Sequence, residues 1–365
     1  MNKLGDYINI KTGKRDANEA CSNGGYPFFT CAKEPSRIDF WSFDCECVLV
    51  AGNCNPHVSY YNGKFNAYQR VYVIQSRDKK LLNIKYLYYF LKKYMTLVLD
   101  KQRGAIEKFF CLDDFTDIKI HLPDLPTQLR IAAILGSIDE KIELNRKKIA
   151  ELEALAKTIY DYWFVQFDFP DKNGKPYKSS GGKMVWNERL KREIPDGWET
   201  ASLNSVFSVC SGKDHKHLLD GKYPVLGSGG IMRYAESYLY DGESILIPRK
   251  GTLNNIMFMQ SAFWTVDTMF YTRPKRTNLM KYTYMSIRDF DFARLNTGTG
   301  VPSMTSSIIG RIPIVIPPEE LAKYVDYFFG CVFSRITFIN NEIKQLAKQR
   351  DTLLPLLMNG QVEVK

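Results

Sequence analysis

Two stretches of this chain carry the same long spacing pattern, and that pattern constrains the fold more than any other feature. In the first, Ile131, Leu135, Ile138, Ile142, Asn145, Ile149, Leu152, Ala156 and Ile159 alternate steps of four and three. Adding 194 to each number gives Val325, Phe329, Val332, Ile336, Ile339, Ile343, Leu346, Arg350 and Leu353. Eight of nine positions are apolar in each set, which is the signature of a coiled-coil seam rather than of a general amphipathic face. The polar exceptions, Asn145 and Arg350, suit a device that sets register and partner choice, although a gap or water would also tolerate them. A lone helix cannot bury such a seam, so the expected solution pairs the two helices with each other. A pseudo-two-fold would make the pair antiparallel. From Ile131 to Ile159 is 28 steps, about 42 Å at about 1.5 Å per residue, which exceeds the ~34–36 Å of one DNA turn.

The repeat extends beyond the helices. Leu4, Gly13 and Lys14 match Leu203, Gly212 and Lys213, and Tyr26-Pro27 matches Tyr223-Pro224. Val48-Leu49-Val50 after Asp44 matches Ile245-Leu246-Ile247 after Asp241, Lys85-Tyr86-Leu87-Tyr88 matches Lys281-Tyr282-Thr283-Tyr284, and Asp117 to Pro123 matches Arg311 to Pro317. The offset drifts from 199 to 194, as loop insertions between related units would make it do. Between the matches, short β-branched and aromatic runs alternate with Gly, Asn, Asp and Pro, which predicts mixed, mainly β units. The stretches from Leu82 to Leu99 and from Asn278 to Leu295 read as helical, with Tyr86, Phe90 and Tyr94 as a core stripe. Leu122-Pro123-Asp124-Leu125-Pro126 and Ile316-Pro317-Pro318 mark the helix starts. The expected organisation is therefore an α+β chain: a first domain over 1–124, a helical region over 125–170, a linker and second domain over 171–317, and a second helical region over 318–365.

Charge divides along the same lines. The net charge of +10 falls as 18 basic against 13 acidic residues over 1–123, 6 against 8 over 124–170, 20 against 13 over 171–317, and 6 against 6 over 318–365. The excess therefore lies in the two β units, which suits two surfaces for a polyanion as well as two solvated basic domains. Charged residues at 25% and hydrophobic residues at 45% describe a folded chain rather than a disordered one. No apolar run approaches a membrane span, and the start Met1-Asn2-Lys3-Leu4 shows no apolar signal stretch, so a cytoplasmic protein is expected. The eight cysteines are unevenly spread, and disulfides are not expected.

Catalytic chemistry finds no foothold. Asn55-Pro56-His57 is the nearest approach to an amino-methyltransferase motif and lacks its second Pro and aromatic residue; no P-loop occurs. Gly227-Ser228-Gly229-Gly230 and Gly298-Thr299-Gly300 have neither dinucleotide spacing nor a strand-to-helix setting, and read as turns. Cys45, Cys47, Cys54 and His57 adjoin an apolar strand and read as buried thiols rather than zinc ligands. Asp214, His215 and His217 alternate with Lys213 and Lys216, which suits an exposed basic loop. No metal site is expected.

Particular segments carry a family resemblance. Leu125-Pro126-Thr127-Gln128-Leu129-Arg130-Ile131 leads into Ile138-Asp139-Glu140-Lys141-Ile142-Glu143-Leu144-Asn145, and Tyr160-Asp161-Tyr162-Trp163-Phe164-Val165-Gln166-Phe167-Asp168-Phe169-Pro170 completes the region. The join Asn173-Gly174-Lys175-Pro176-Tyr177-Lys178 precedes Ile194-Pro195-Asp196-Gly197-Trp198; Gly13-Lys14, Tyr26-Pro27-Phe28 and Phe65-Asn66-Ala67-Tyr68-Gln69 belong with it. Over essentially its whole length the chain resembles the specificity subunits of type I DNA restriction-modification systems. The resemblance implies a non-catalytic subunit with two target-recognition domains and two helical regions. It implies recognition of a gapped, two-part site in double-stranded DNA and docking of two modification subunits that use S-adenosylmethionine. Through them, restriction subunits using ATP and Mg²⁺ would join; no cofactor is expected on this chain. The second helical region departs from the first: Pro317-Pro318-Glu319-Glu320-Leu321 has no counterpart of Gln128, and Pro355 interrupts the later pattern.

With phosphates met by Lys and Arg and base edges by Arg, Lys, Asn and Gln, the expected contacts are Lys14, Arg15, Lys33, Arg37, Asn53, Asn55 and Arg103 in the first domain. In the second they are Lys213, Lys216, Arg233, Arg249, Lys250, Asn254 and Asn255. The alternative class is a stand-alone DNA-modifying enzyme, with acids such as Asp44 and Glu46 in a nuclease, or a coiled-coil scaffold binding DNA without sequence preference.

Overall fold

Residues 2–52, 56–98, 110–298 and 300–362 are described by the structure, a computed structural model. Contacts divide the chain into two units, Met1–Arg146 with Asn340–Lys365, and Lys147–Ile339. Each unit therefore holds one β region and parts of both long helices.

In the first unit the run Val48-Leu49-Val50 sits inside β4 of a six-stranded sheet. Its strands are β1 (Ile8–Thr12), β2 (Tyr26–Phe29), β3 (Ser36–Ile38), β4 (Phe43–Ala51), β5 (Val58–Ala67) and β6 (Val71–Ser76), in the order β1-β6-β4-β5-β2-β3. Neighbours are antiparallel except β2 and β5, which run parallel with Phe28 opposite Asn66. The continuous apolar run has a direct cause: successive side chains leave opposite faces of a strand, and both faces of β4 are covered. Val48 and Val50 join Leu4, Ile8, Ile74, Leu87 and Leu91 in one core; Cys47 and Leu49 join Phe65, Val71 and Val73 in another. Burial raises the Cys47 thiol pKa well above its ordinary value. Helix α1 (Ile84–Val98) follows, with Tyr86 buried.

The second unit rebuilds this plan with one break. Strands β7 (Phe207–Ser211), β8 (Asp220–Gly227), β9 (Gly230–Ala235), β10 (Ser244–Pro248), β11 (Met257–Met259), β12 (Trp264–Thr265) and β13 (Met269–Pro274) form two sheets, β7-β13-β10-β11 and β9-β8-β12. Where β5 is one ten-residue strand, its counterpart is split into β11 on β10 and β12 parallel to β8. Fully buried Phe263 lies between them, against Tyr240 and Tyr271. Helix α3 covers Met280–Ile287 only, shorter than the expected Asn278 to Leu295. A separate 3-10 turn, Phe292–Leu295, starts where the Asp291 side chain accepts a hydrogen bond from the Ala293 amide.

The repeated glycines are explained by close backbone approach. A Cβ on Gly13 would lie 2.1 Å from the Ala67 carbonyl oxygen, and one on Gly212 2.0 Å from that of Val266. The amides of Gly13 and Gly212 donate to the carbonyls of Val71 and Met269, each at 3.1 Å.

The long helices were expected from spacing and are present as α2 (Leu125–Tyr160), continued by a π-helical turn Asp161–Val165, and α4 (Glu319–Met358). Asp124 caps α2 by accepting from the Thr127 amide, while α4 starts with Glu319 and Glu320, which complement the positive end of its dipole. Pro355 lies inside α4 rather than ending it; in the last turn it removes one backbone donor and leaves the earlier ladder intact. Every seam position named above is buried or half-buried. In the first unit Ile131 and Leu135 share a core with Leu353, Leu354 and Leu357, Lys141 pairs with Glu342 at 3.5 Å and Arg350 with Asp139 at 2.8 Å. In the second, Leu152 and Ala156 share a core with Val325, Phe329, Val332 and Ile336. Asn145 is 1% exposed, and its Nδ2 has no hydrogen-bond partner among the described residues.

Candidate nucleic-acid interface

The sheets of the two units present the expected polar groups in different ways. In the first unit β1 ends just before the closely packed Gly13, beyond which Lys14 is exposed and Arg15 is half-buried. The Arg15 guanidinium lies 4.6 Å from the Phe40 ring centre and 3.5 Å from Glu19. Lys33, in the loop between β2 and β3, and Arg37, on edge strand β3, are exposed. Asn53, Asn55 and Arg103 lie outside the described residues.

In the second unit Lys213, Lys216 and Lys250 are exposed. A cleft of about 690 Å³ is lined by Asp214, His215 and Lys216, the β8–β9 turn Gly227-Ser228-Gly229, Met232, and Val266-Asp267-Thr268. The Arg249 amide donates to the Thr268 carbonyl at 2.8 Å, which sets Arg249 and Lys250 beside this cleft; the Arg249 guanidinium lies 5.8 Å from the Phe270 ring. The glycine-rich segment read as a turn is a turn between β8 and β9, and it forms one wall of this cleft.

Three of the expected contacts also make side-chain hydrogen bonds within the unit. Arg233 donates to the carbonyls of Leu218 and His215 and lies 3.4 Å from Asp220. Asn254 donates to Asp291 and accepts from the Ala293 amide, and its amide is the main reason the Asp291 carboxyl sits below its ordinary pKa. Asn255 donates to the Ser228 carbonyl at 2.8 Å, bracing the turn. These hydrogen bonds, to backbone carbonyls for Arg233 and Asn255 and to a carboxylate for Asn254, tie the side chains to neighbouring loops.

Residue-type reasoning overlooked the exposed rings. Phe40 and Trp41 follow β3, with Lys64 of β5 over the Trp41 ring at 4.9 Å. Ile231, Met232 and Tyr234 are exposed on edge strand β9. The available signal was an apolar pair directly after a polar turn, Phe40-Trp41 beside Asp39 and Ser42. Among the described residues no cluster of three His, Cys, Asp or Glu side chains is placed to hold a metal, and no helix is long and apolar enough to cross a membrane.

Comparison with known proteins matches this architecture. The family described as type I restriction modification DNA specificity domain matches residues 1–154 and 195–346. The type I restriction enzyme EcoDI specificity subunit of Escherichia coli is 25% identical over 99% of this chain and 88% of its own. The MjaIX specificity subunit of Methanocaldococcus jannaschii is 26% identical over 77% of this chain and 69% of its own. In fold, the chain is similar to the crystal structure of a type I restriction-modification S subunit from M. genitalium, with a TM-score of 0.65 and 18% identity, covering 98% of this chain and 95% of that one.

Proposed function

We infer, from the premise that this chain belongs to the type I restriction-modification DNA specificity family, that it is the non-catalytic DNA sequence-recognition subunit of such a complex. It reads a gapped, two-part target. The observation that carries this is the repeat itself: two basic β units with equivalent strand pairings, each followed by a helix of 36 or 40 residues. One such unit can read one run of bases; two held apart read two runs with an unread gap.

In this reading residues 1–124 and 171–317 are the target-recognition domains, and 125–170 and 318–365 pair as an antiparallel coiled coil. Support for the antiparallel sense comes from the contacts within each unit: Ile131 and Leu135 lie with Leu353 and Leu357, whereas Ala156 lies with Phe329. As the number rises along α2, it falls along α4. Exposed Lys14, Lys33, Arg37, Lys213, Lys216 and Lys250, with Arg249 beside the cleft, meet phosphates and base edges. The complex forms in the cytoplasm, where the helical regions dock two modification subunits, which bind S-adenosylmethionine. Restriction subunits, with ATP and Mg²⁺, join through them, and this chain binds no cofactor.

The test is the host's adenine methylation mapped across the genome by single-molecule sequencing, with and without this gene. Loss of methylation at one gapped, two-part motif is expected. An unchanged pattern with the modification subunits expressed overturns the reading in favour of an independent enzyme or a non-specific scaffold.

A further inference from the structure

An exposed aromatic side chain occupies the same place in both units. Tyr26 of β2 faces Ile38 of β3, and Tyr223 of β8 faces Ala235 of β9. Ile38 and Ala235 are both buried, which aligns the strands that follow. The alignment is pinned again further on, where Phe43 stacks on Phe65 at 5.1 Å and Tyr240 meets Phe263 at 5.9 Å. Between these anchors stand Trp41 and Tyr238, each three residues beyond the buried strand residue and two before a half-buried ring, Phe43 or Tyr240. They are 44% and 46% exposed.

Burial would favour both rings, yet both remain at the surface, Trp41 with a cation over its own ring and Tyr238 against a ring that carries one. Lys64 lies over Trp41 at 4.9 Å, with Arg15 over neighbouring Phe40 at 4.6 Å. In the second unit Tyr238 meets the edge of Tyr223 at 5.0 Å, and Lys222 lies over Tyr223 at 5.0 Å. The aromatic is common to both units while the cation comes from a different strand in each. This combination fits a partner that is both polyanionic and apolar at its edges. Duplex DNA meets that description, since cations take phosphates while rings contact thymine methyls or wedge against base steps.

We propose that Trp41 and Tyr238 are equivalent groove-facing contacts, each selecting bases in its own half of the target. The proposal rests on the recognition function inferred above. Its test uses the full chain assembled with its modification subunits and reads the methylated motif, the binding affinity at several salt concentrations, and the melting temperature. Trp41→Ala should broaden base preference in one half-site only and weaken cognate binding about tenfold. Tyr238→Ala should do the same in the other half-site, and Trp41→Phe should keep most of the selectivity. Lys64→Gln should lower the log-log salt slope by about one unit and leave the motif unchanged.

Unaltered motif and affinity in both alanine variants overturns the proposal. So does a folded variant that no longer assembles with the modification subunits, which would assign the rings to a protein partner. Unfolding of Trp41→Ala would mark the ring as a core element and equally overturn it. A wild-type complex with no two-part motif would instead defeat the recognition function itself, before any variant is considered.

Discussion

The two units join their β region to the following helix at equivalent places, one with a neutral amide and the other with charge. In the first, Gln128 is fully buried: its Nε2 donates to the carbonyls of Leu81 and Pro123, and its Oε1 accepts from the Asn83 amide, all at 2.9 Å. The repeat places Ala322 there in the second unit. That unit instead buries Lys281 of α3 between Glu243 at 2.6 Å and Asp326 of α4 at 2.9 Å. Burial opposes the ammonium charge, and the two carboxylates outweigh it, raising the Lys281 pKa. A second contrast follows along the helices. The first unit uses a polar node, Asp139 with Arg350, Tyr89 and Lys92, where the repeat puts Phe333 and Ala156 in the second, among Phe258, Tyr284 and Phe329. One backbone plan thus tolerates different adhesives at these two junctions, where the buried amide of Gln128 and the buried ammonium of Lys281 each find partners.

The shared feature should give the largest effect and nearly the same one in each unit. Gly13→Ala and Gly212→Ala each drive a Cβ into a backbone carbonyl, and each should cost about 3 kcal/mol or more. Denaturant unfolding with hydrogen exchange resolved by unit would check this; a mild effect in one alone would break the equivalence. Next, Gln128→Ala leaves two carbonyls and an amide without partners and should cost about 1–3 kcal/mol. That loss should be the same at neutral and alkaline pH, because nothing in that network titrates.

Lys281→Met should cost slightly less, about 1–2 kcal/mol, because Glu243 and Asp326 are 28% and 27% exposed and water replaces part of the lost partner. Here pH sharpens the contrast. A lysine whose folded pKa is raised above 10.5 contributes stability at lower pH and loses it as pH climbs through the folded value. The stability gap between wild type and Lys281→Met should therefore hold up to pH 10.5 and shrink as pH rises above it, and a gap that widened would contradict the charged junction. The smallest effect is expected for Arg350→Leu, about 1 kcal/mol or less, because Tyr89 and Lys92 remain on Asp139. A double-mutant cycle with Asp139→Asn measures that coupling directly.

Much of this was legible in the chain alone. The four-and-three spacing located both helices, since a seam residue must recur where it can be buried, and every position so chosen is at least half-buried. The runs around Leu49 and Leu246 read as strands because both faces had to be apolar. The reading groups were less legible. Arg233, Asn254 and Asn255 have the chemistry to contact a base, but so do the carbonyls and carboxylates that approach them from positions distant in sequence. Residue type cannot distinguish the two uses. Trp41 and Tyr238 were missed for the converse reason: an aromatic residue near a strand is expected inward, and exposure is a property of what fails to cover it.

Local periodicity, turn chemistry and self-similarity are properties of the string, so the sequence by itself determined the duplicated plan, the α+β class, the helix positions and the family. Tertiary structure alone decided why Gly13 and Gly212 must be glycine, how the strand equivalent to β5 splits around Phe263, and whether a junction is held by Gln128 or by Lys281. Each of these depends on distances between residues far apart along the chain, which no local pattern encodes.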